Sequence, residues 1–400
     1  MKFSKMVYKA LIIIAISMMW LYLIRVLAIN YYLYDLVWLI PIFYIFYVLQ
    51  IIIHESGHAL FGKLSGYKMS LFRILYFMWM RQSEGKLQFK YYTAAKTPGE
   101  CLMAPPEYSE EKWPFRLYLL GGVLANLIIS LLVLLIFDTT VFTLIFCYFG
   151  FEQVLTKGIP YESNDGKILY LAAKQTDYRY KLYLELKISE LLTKGLVLTE
   201  MPKHYFERLS AVSTYTLLDE QYELLKASYF FDTEQWDLLH QQVEELWERI
   251  PDIVPSRQIG FKAEILFYLL LMQPDDPRAE EIWQEKQFRK SMQKAYVIDP
   301  YVKAAYLYYR EKNLAEALSA LDTVEEVLEY CPTKGEERRF IQLTNELRES
   351  ILEQGEPVNT SETIQPTHTF SDLEKAEEKS SMIKFGILMI ILVAYAYFVF

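Results

Sequence analysis

The chain has 400 residues and a formal charge of −9, and it combines 53% hydrophobic and 16% aromatic residues with 23% charged ones. That mixture fits neither a wholly water-soluble globule nor a bare bundle of membrane spans, so the chain divides between the two environments. Basic residues are in excess in the first third and acidic ones crowd the region after about residue 175, a pattern that does not suggest nucleic-acid binding.

The first predicted element is an apolar helix over Ala10–Ile29, interrupted by Arg25 near one end. A cleaved signal peptide is the alternative, but no small-residue cleavage site follows it. The second helix runs from Leu36 to about Leu60, with an early kink expected at Pro41. Tyr67–Tyr92 alternates aromatic and polar residues and reads as two short strands joined by a turn at Arg81–Lys86, which contains Glu84. A third apolar helix is predicted over Leu117–Phe137, a fourth from Val141 to about Leu155 with Glu152 and Gln153 near its end, and a fifth over Phe385–Phe400. The last two are short against the roughly 17 to 25 residues that a crossing needs.

Lysine and arginine placement gives a sidedness. Lys2, Lys5 and Lys9 precede the first span, and nine Lys and Arg residues from Lys63 to Arg116 lie between the second and third, whereas Asn30–Asp35 and Asp138–Thr140 hold none. By the positive-inside rule the amino terminus is cytoplasmic, and the second and fourth spans both descend toward that side.

The second span ends in Ile51-Ile52-Ile53-His54-Glu55-Ser56-Gly57-His58. His-Glu-x-x-His on a helix sets two imidazoles one turn apart on one face, where both can bind Zn²⁺ while the Glu acts on a water. A chance match is the alternative, but with 5 His in 400 residues the pairing of two around a Glu argues for a metal. Ionisable residues inside a span are costly and mark function.

Catalytic zinc takes three protein ligands. The fourth span delivers Asn164-Asp165-Gly166 to the same side, so Asp165 is the candidate third ligand; an ordinary Asn-Asp-Gly turn is the competing reading. Phe61 and Leu64 stand where a metzincin needs Gly and His, which excludes that class. A gluzincin needs a Glu from a downstream helix, and Glu84 lies in a turn. Cys101, Cys147 and Cys331 form no Cys-x-x-Cys pair, so neither a disulfide framework nor a cysteine zinc site is indicated.

With Gly122-Val123-Leu124-Ala125-Asn126 in the next span and Asp165-Gly166 after a further one, residues 36 to 170 resemble the site-2 protease group of intramembrane metalloproteases, peptidase family M50. The resemblance implies that His54, His58 and Asp165 bind Zn²⁺, that Glu55 is the catalytic base, and that Asn126, with Gly122 in the same element, positions the substrate or the developing oxyanion. A helix–helix hydrogen bond is the alternative for Asn126. Tyr67–Tyr92 occupies the place of the family's membrane-dipping hairpin, which presents substrate as an added strand. The sequence departs from the family at Val123, where a proline is usual, and at Asn164, where Leu or Pro is usual.

Beyond the core, Leu169 to about Glu353 is charged and helical. Ala305, Tyr308, Ala317 and Leu321, and earlier Ala227, Phe230, Leu239, Val243 and Pro251, fall at tetratricopeptide-like offsets, with generic helix packing as the alternative. His204 and His240 stand alone and are assigned no chemistry.

The expected architecture is an α-helical multi-pass membrane protein of about five spans, with a site-2-protease-like core, a short β hairpin and a cytoplasmic all-α domain. Its parts are an anchor (1–35), the protease core (36–168), the cytoplasmic helical domain (169–353), a Pro/Ser/Thr/Glu/Lys-rich linker (354–381) and a last span (382–400). The expected location is a multi-pass cell membrane protein, in the bacterial cytoplasmic membrane, with the amino terminus and 169–381 in the cytoplasm. The expected function is a zinc metalloendopeptidase that cuts membrane-spanning or membrane-associated peptides, with a protein partner at the helical domain. The rival is a non-proteolytic scaffold or immunity-type protein that keeps the fold; a transporter lacks support because no inverted repeat is visible.

Overall fold

The computed structural model describes residues 2–30, 33–82, 85–92, 97–160, 164–207, 215–291 and 298–354. The described residues of Met1–Met78 and Thr97–Arg179 form one compact unit, and those of Trp79–Lys96 and Tyr180–Gln365 another.

The first unit is built on α1 (Lys2–Asn30), α2 (Leu33–Leu64), α3 (Phe115–Ile136), α4 (Val141–Gly158) and α5 (Asp165–Lys174). Among the described residues, three helices are long and apolar enough to cross a membrane: Ala10–Ile29, Leu39–Leu64 and Phe115–Ile136, with mean hydropathies of 2.4, 1.6 and 2.7. At about 1.5 Å per residue, a 20-residue helix reaches across a hydrocarbon layer of about 30 Å. Their outward faces are apolar too, as Leu11, Ile14, Met18, Leu131 and Leu135 are all exposed. Helices hydrophobic on every side belong in lipid or in a core.

The other two expected spans fare differently. α4 forms and runs to Gly158, but Glu152, Gln153 and Lys157 leave it short of the apolar content of the other three. Phe385–Phe400 lies outside the described residues. Pro41 lies inside α2. Trp20 of α1, Phe43 of α2 and Phe149 of α4 meet edge to face, at 5.9 Å for Trp20–Phe43 and 6.0 Å for Phe43–Phe149. Leu23, Leu27, Leu39 and Ile145 fill the space around them.

α2 and α3 approach at glycine. A β-carbon on Gly57 would lie 2.4 Å from the carbonyl oxygen of Gly121, and one on Gly121 would lie 2.6 Å from that of Gly57. Without a hydrophobic drive between helices in lipid, small residues at the contact let dispersion act at close range.

Between α2 and α3 the chain forms β1 (Lys68–Ile74), β2 (Phe77–Arg81), β3 (Leu87–Tyr91) and β4 (Gly99–Ala104), in the sheet order β3-β2-β1-β4. The expected short hairpin is therefore extended to four strands. β1 and β4 pair antiparallel from Lys68↔Ala104 to Ile74↔Gly99, with an irregularity between Met69 and Leu71. β2 and β3 enclose the turn at Gln82–Lys86, whose Gly85 adopts φ +78°; Glu84 lies outside the described residues.

The second unit is helical apart from its hairpin segment: the greater part of α6 (Thr176–Thr193), then α7 (Leu217–Asp232), α8 (Trp236–Arg249), α9 (Pro255–Met272), α10 (Pro277–Gln284), α11 (Lys286–Ser291), α12 (Ile298–Tyr309), α13 (Leu314–Val327) and α14 (Lys334–Gln354). The residues at repeat-like offsets fall on two helix pairs. Ala227, Leu239 and Val243 are buried on α7 and α8, and Ala305, Tyr308, Ala317 and Leu321 on α12 and α13, while Phe230 is half-buried. The buried Lys181 and Asp219 pair at 2.7 Å, and the half-buried Arg339 and Asp232 at 2.8 Å. His204 and His240 lie at the surface.

Candidate metal centre

Gln50, His54 and His58 recur every four residues on α2, and all three are buried. The helical period lays the two imidazoles over one another, with ring centroids 4.8 Å apart and planes at 80°. Gly122 of α3 makes room for them. A β-carbon there would lie 2.6 Å from His54 Nε2 and 2.6 Å from His58 Nε2.

The third residue arrives from the far end of α4. Asn164 ends one helix and starts the next: its Nδ2 donates to the carbonyls of Thr156 (2.6 Å) and Ile159 (2.7 Å), and its Oδ1 accepts from the amide of Lys167 (2.9 Å). These bonds satisfy orphan groups at both helix ends. Gly166 permits the tight approach, since a β-carbon there would sit 2.1 Å from the oxygen of Gly158. Asp165, the first residue of α5, is thereby presented to the imidazoles.

His54 Nε2 lies 3.1 Å from Asp165 Oδ2, His58 Nε2 lies 3.7 Å from the same oxygen, and the two Nε2 atoms are 3.2 Å apart. Among the described residues these three form a group whose ligand atoms all lie within 4.8 Å of one another. The outer nitrogens decide what that closeness means. His58 Nδ1 is 2.8 Å from the carbonyl oxygen of Tyr118, which can only accept, so Nδ1 carries a proton and in the neutral imidazole Nε2 is the bare nitrogen. His54 Nδ1 is 2.8 Å from Asn126 Oδ1. The amide of Asn126 cannot be turned the other way, because its Nδ2 donates to the main-chain oxygen of Gln50 at 3.0 Å. The neutral imidazole of His54 therefore also has its bare nitrogen at Nε2. Two imidazole nitrogens and a carboxylate oxygen converging this closely are a donor set suited to zinc.

Glu55 follows His54 and is half-buried. A β-carbon on Gly99, the first residue of β4, would stand 2.6 Å from Glu55 Oε1, so the start of this strand runs along the carboxylate. Asn126 is fully buried, and both protons of its amide are committed to Gln50.

The architecture at the centre is thus a His-Glu-x-x-His helix in an apolar bundle with an Asp-Gly at the following helix end. A model of peptidase family M50 matches residues 42–364. The chain belongs to peptidase family M50. No curated protein and no solved structure matches it. The M50 match extends well past the metal centre into the helical second unit. In this M50 chain the sequence motifs supplied His54, His58, Asp165, Glu55, Gly122 and Asn126, but not Gln50, the Tyr118 carbonyl or Gly99. Gln50 had a visible signal, as a carboxamide one turn before His54 in an apolar run; a backbone carbonyl has none.

Proposed function

We propose that the chain is a zinc metalloendopeptidase working within the membrane, which hydrolyses peptide bonds of membrane-spanning or membrane-associated substrates. The observation that carries this reading is the convergence of the two Nε2 atoms and the Asp165 carboxylate, one residue from Glu55. Bound there, zinc supplies Lewis acidity that makes a water a stronger acid and polarises a carbonyl. Glu55 accepts the proton of the attacking water and returns it to the leaving nitrogen. Tyr118 and Asn126 hold the imidazoles as neutral, metal-facing bases. Asn126 is assigned to His54 in this reading, since its amide protons are already taken.

The substrate side is supported by β4. It ends the sheet order, and its first residue adjoins Glu55, so a strand added to that edge would pass the carboxylate. An α-helical substrate must unwind locally to pair there, because its carbonyls are otherwise engaged within the helix. In the same reading the protein lies in the bacterial cytoplasmic membrane, with its amino terminus and residues 169–381 in the cytoplasm, where the helical region takes a protein partner.

The test joins metal content to cleavage. The detergent-purified chain is expected to hold about one zinc, reduced in Asp165→Ala and His58→Ala. Glu55→Gln is expected to keep the zinc and lose cleavage of membrane-protein fragments in cells. Unchanged cleavage in Glu55→Gln would overturn the protease reading and leave a scaffold acting through its helical domain.

A further inference from the structure

We infer that Gln50 is a positioning residue of the metal centre, whose side chain fixes the orientation of His54 through Asn126 and ties both to α4, the helix that leads into Asp165. The inference rests on the metalloprotease reading above. Gln50 is fully buried inside a membrane-crossing helix, where a carboxamide is costly unless each of its polar groups is bonded.

Its bonds form a single directed chain. Gln50 Nε2 donates to the carbonyl of Phe146 on α4 at 3.0 Å. A carbonyl only accepts, so this contact fixes which end of the carboxamide is which. Gln50 Oε1 must then face α3, where it accepts from Asn126 Nδ2 at 2.7 Å. The second proton of that amide goes to the main-chain oxygen of Gln50 at 3.0 Å, and Asn126 Oδ1 is left to accept from His54 Nδ1 at 2.8 Å. Three helices are joined at one depth, and the proton position on His54 is set from Phe146 onward.

The surroundings are shaped to this side chain. A β-carbon on Gly150 of α4 would come within 1.9 Å of Ser130 Oγ and 3.0 Å of Gln50 Nε2, so glycine at this position leaves room for Ser130 and a close approach of the carboxamide. A hydrogen bond that merely glued helices together would need neither a link to a ligand's outer nitrogen nor a fixed direction. Groups bonded to the far side of a metal-binding imidazole set its tautomer and basicity, and their loss typically weakens metal binding by roughly 10- to 100-fold.

The experiment is a zinc dissociation constant, measured by competition with a chromophoric chelator on the full chain in detergent. The chain is compared with Gln50→Met, which keeps the length and removes the amide, with Asn126→Ala and with the double variant; helical content by circular dichroism is recorded for each. Each single variant is expected to weaken zinc roughly 10- to 100-fold at unchanged helical content, and the double variant no more than the weaker-binding single one, because both break the same chain. Zinc binding in Gln50→Met equal to the native chain, or losses that multiply in the double variant, would overturn the inference while leaving the metal centre standing. Absence of zinc binding by the native chain would overturn the metalloprotease reading and the inference with it. If Gln50→Met does not fold, Gln50→Asn replaces it, keeping a carboxamide one methylene too short to bridge Asn126 and Phe146; the same loss is expected, and native-like affinity overturns the inference.

Discussion

Gly122 is held to its identity by two neighbours at once, because a β-carbon there would lie 2.6 Å from the Nε2 atoms of both His54 and His58. Alanine is the better helix former by about 1 kcal/mol, so Gly122→Ala relaxes the backbone of α3 while displacing both imidazoles. The expected outcome is a helical content equal to the native chain with zinc affinity lowered by roughly tenfold or more, a loss comparable to removing an outer partner of a ligand. Circular dichroism and chelator competition on the same preparation check it. His58 differs from His54 in its support: it leans on the Tyr118 carbonyl, which no side-chain substitution removes, whereas the support of His54 is an Asn that mutation can reach.

At the scale of elements, the site depends on where α4 stops and α5 begins. Asn164 bonds the last carbonyls of the one and the first free amide of the other, so Asn164→Ala is expected to cost about 1 kcal/mol of stability, read from thermal unfolding in detergent, and to speed zinc release as Asp165 loses its fixed setting. The helix carrying His54, Glu55 and His58 was legible in the sequence because a spacing of four on an apolar run has one geometric meaning, and Asp165 was legible from chain order and charge placement. β4 was not. Gly99–Ala104 lies beyond the expected hairpin at Tyr67–Tyr92, and its burial of Cys101 and Met103 comes from contacts made only once the chain is folded. The role of Gln50 was hidden for a similar reason, since its partners stand 76 and 96 residues away. Asn164, which departs from the family's usual residue, explains itself only when both helix ends are seen.

At the scale of the molecule, an apolar bundle and a charged helical unit share one chain, and the lysine and arginine pattern predicts which side of the membrane each loop occupies. The native cysteines are buried and leave a low background for labelling. In sealed cells expressing the chain, Asp138→Cys is expected to react with a membrane-impermeant thiol reagent, and Glu281→Cys to react only after the membrane is opened. The reverse pattern would invert the sidedness. The crowding at position 122 also has a consequence for descent. A glycine codon becomes an alanine codon by one base change, and the helices around it would stand. A lineage could thus pass from peptidase to a silent membrane protein that still presents its helical unit, in a single mutational step and without an unfolded ancestor between them.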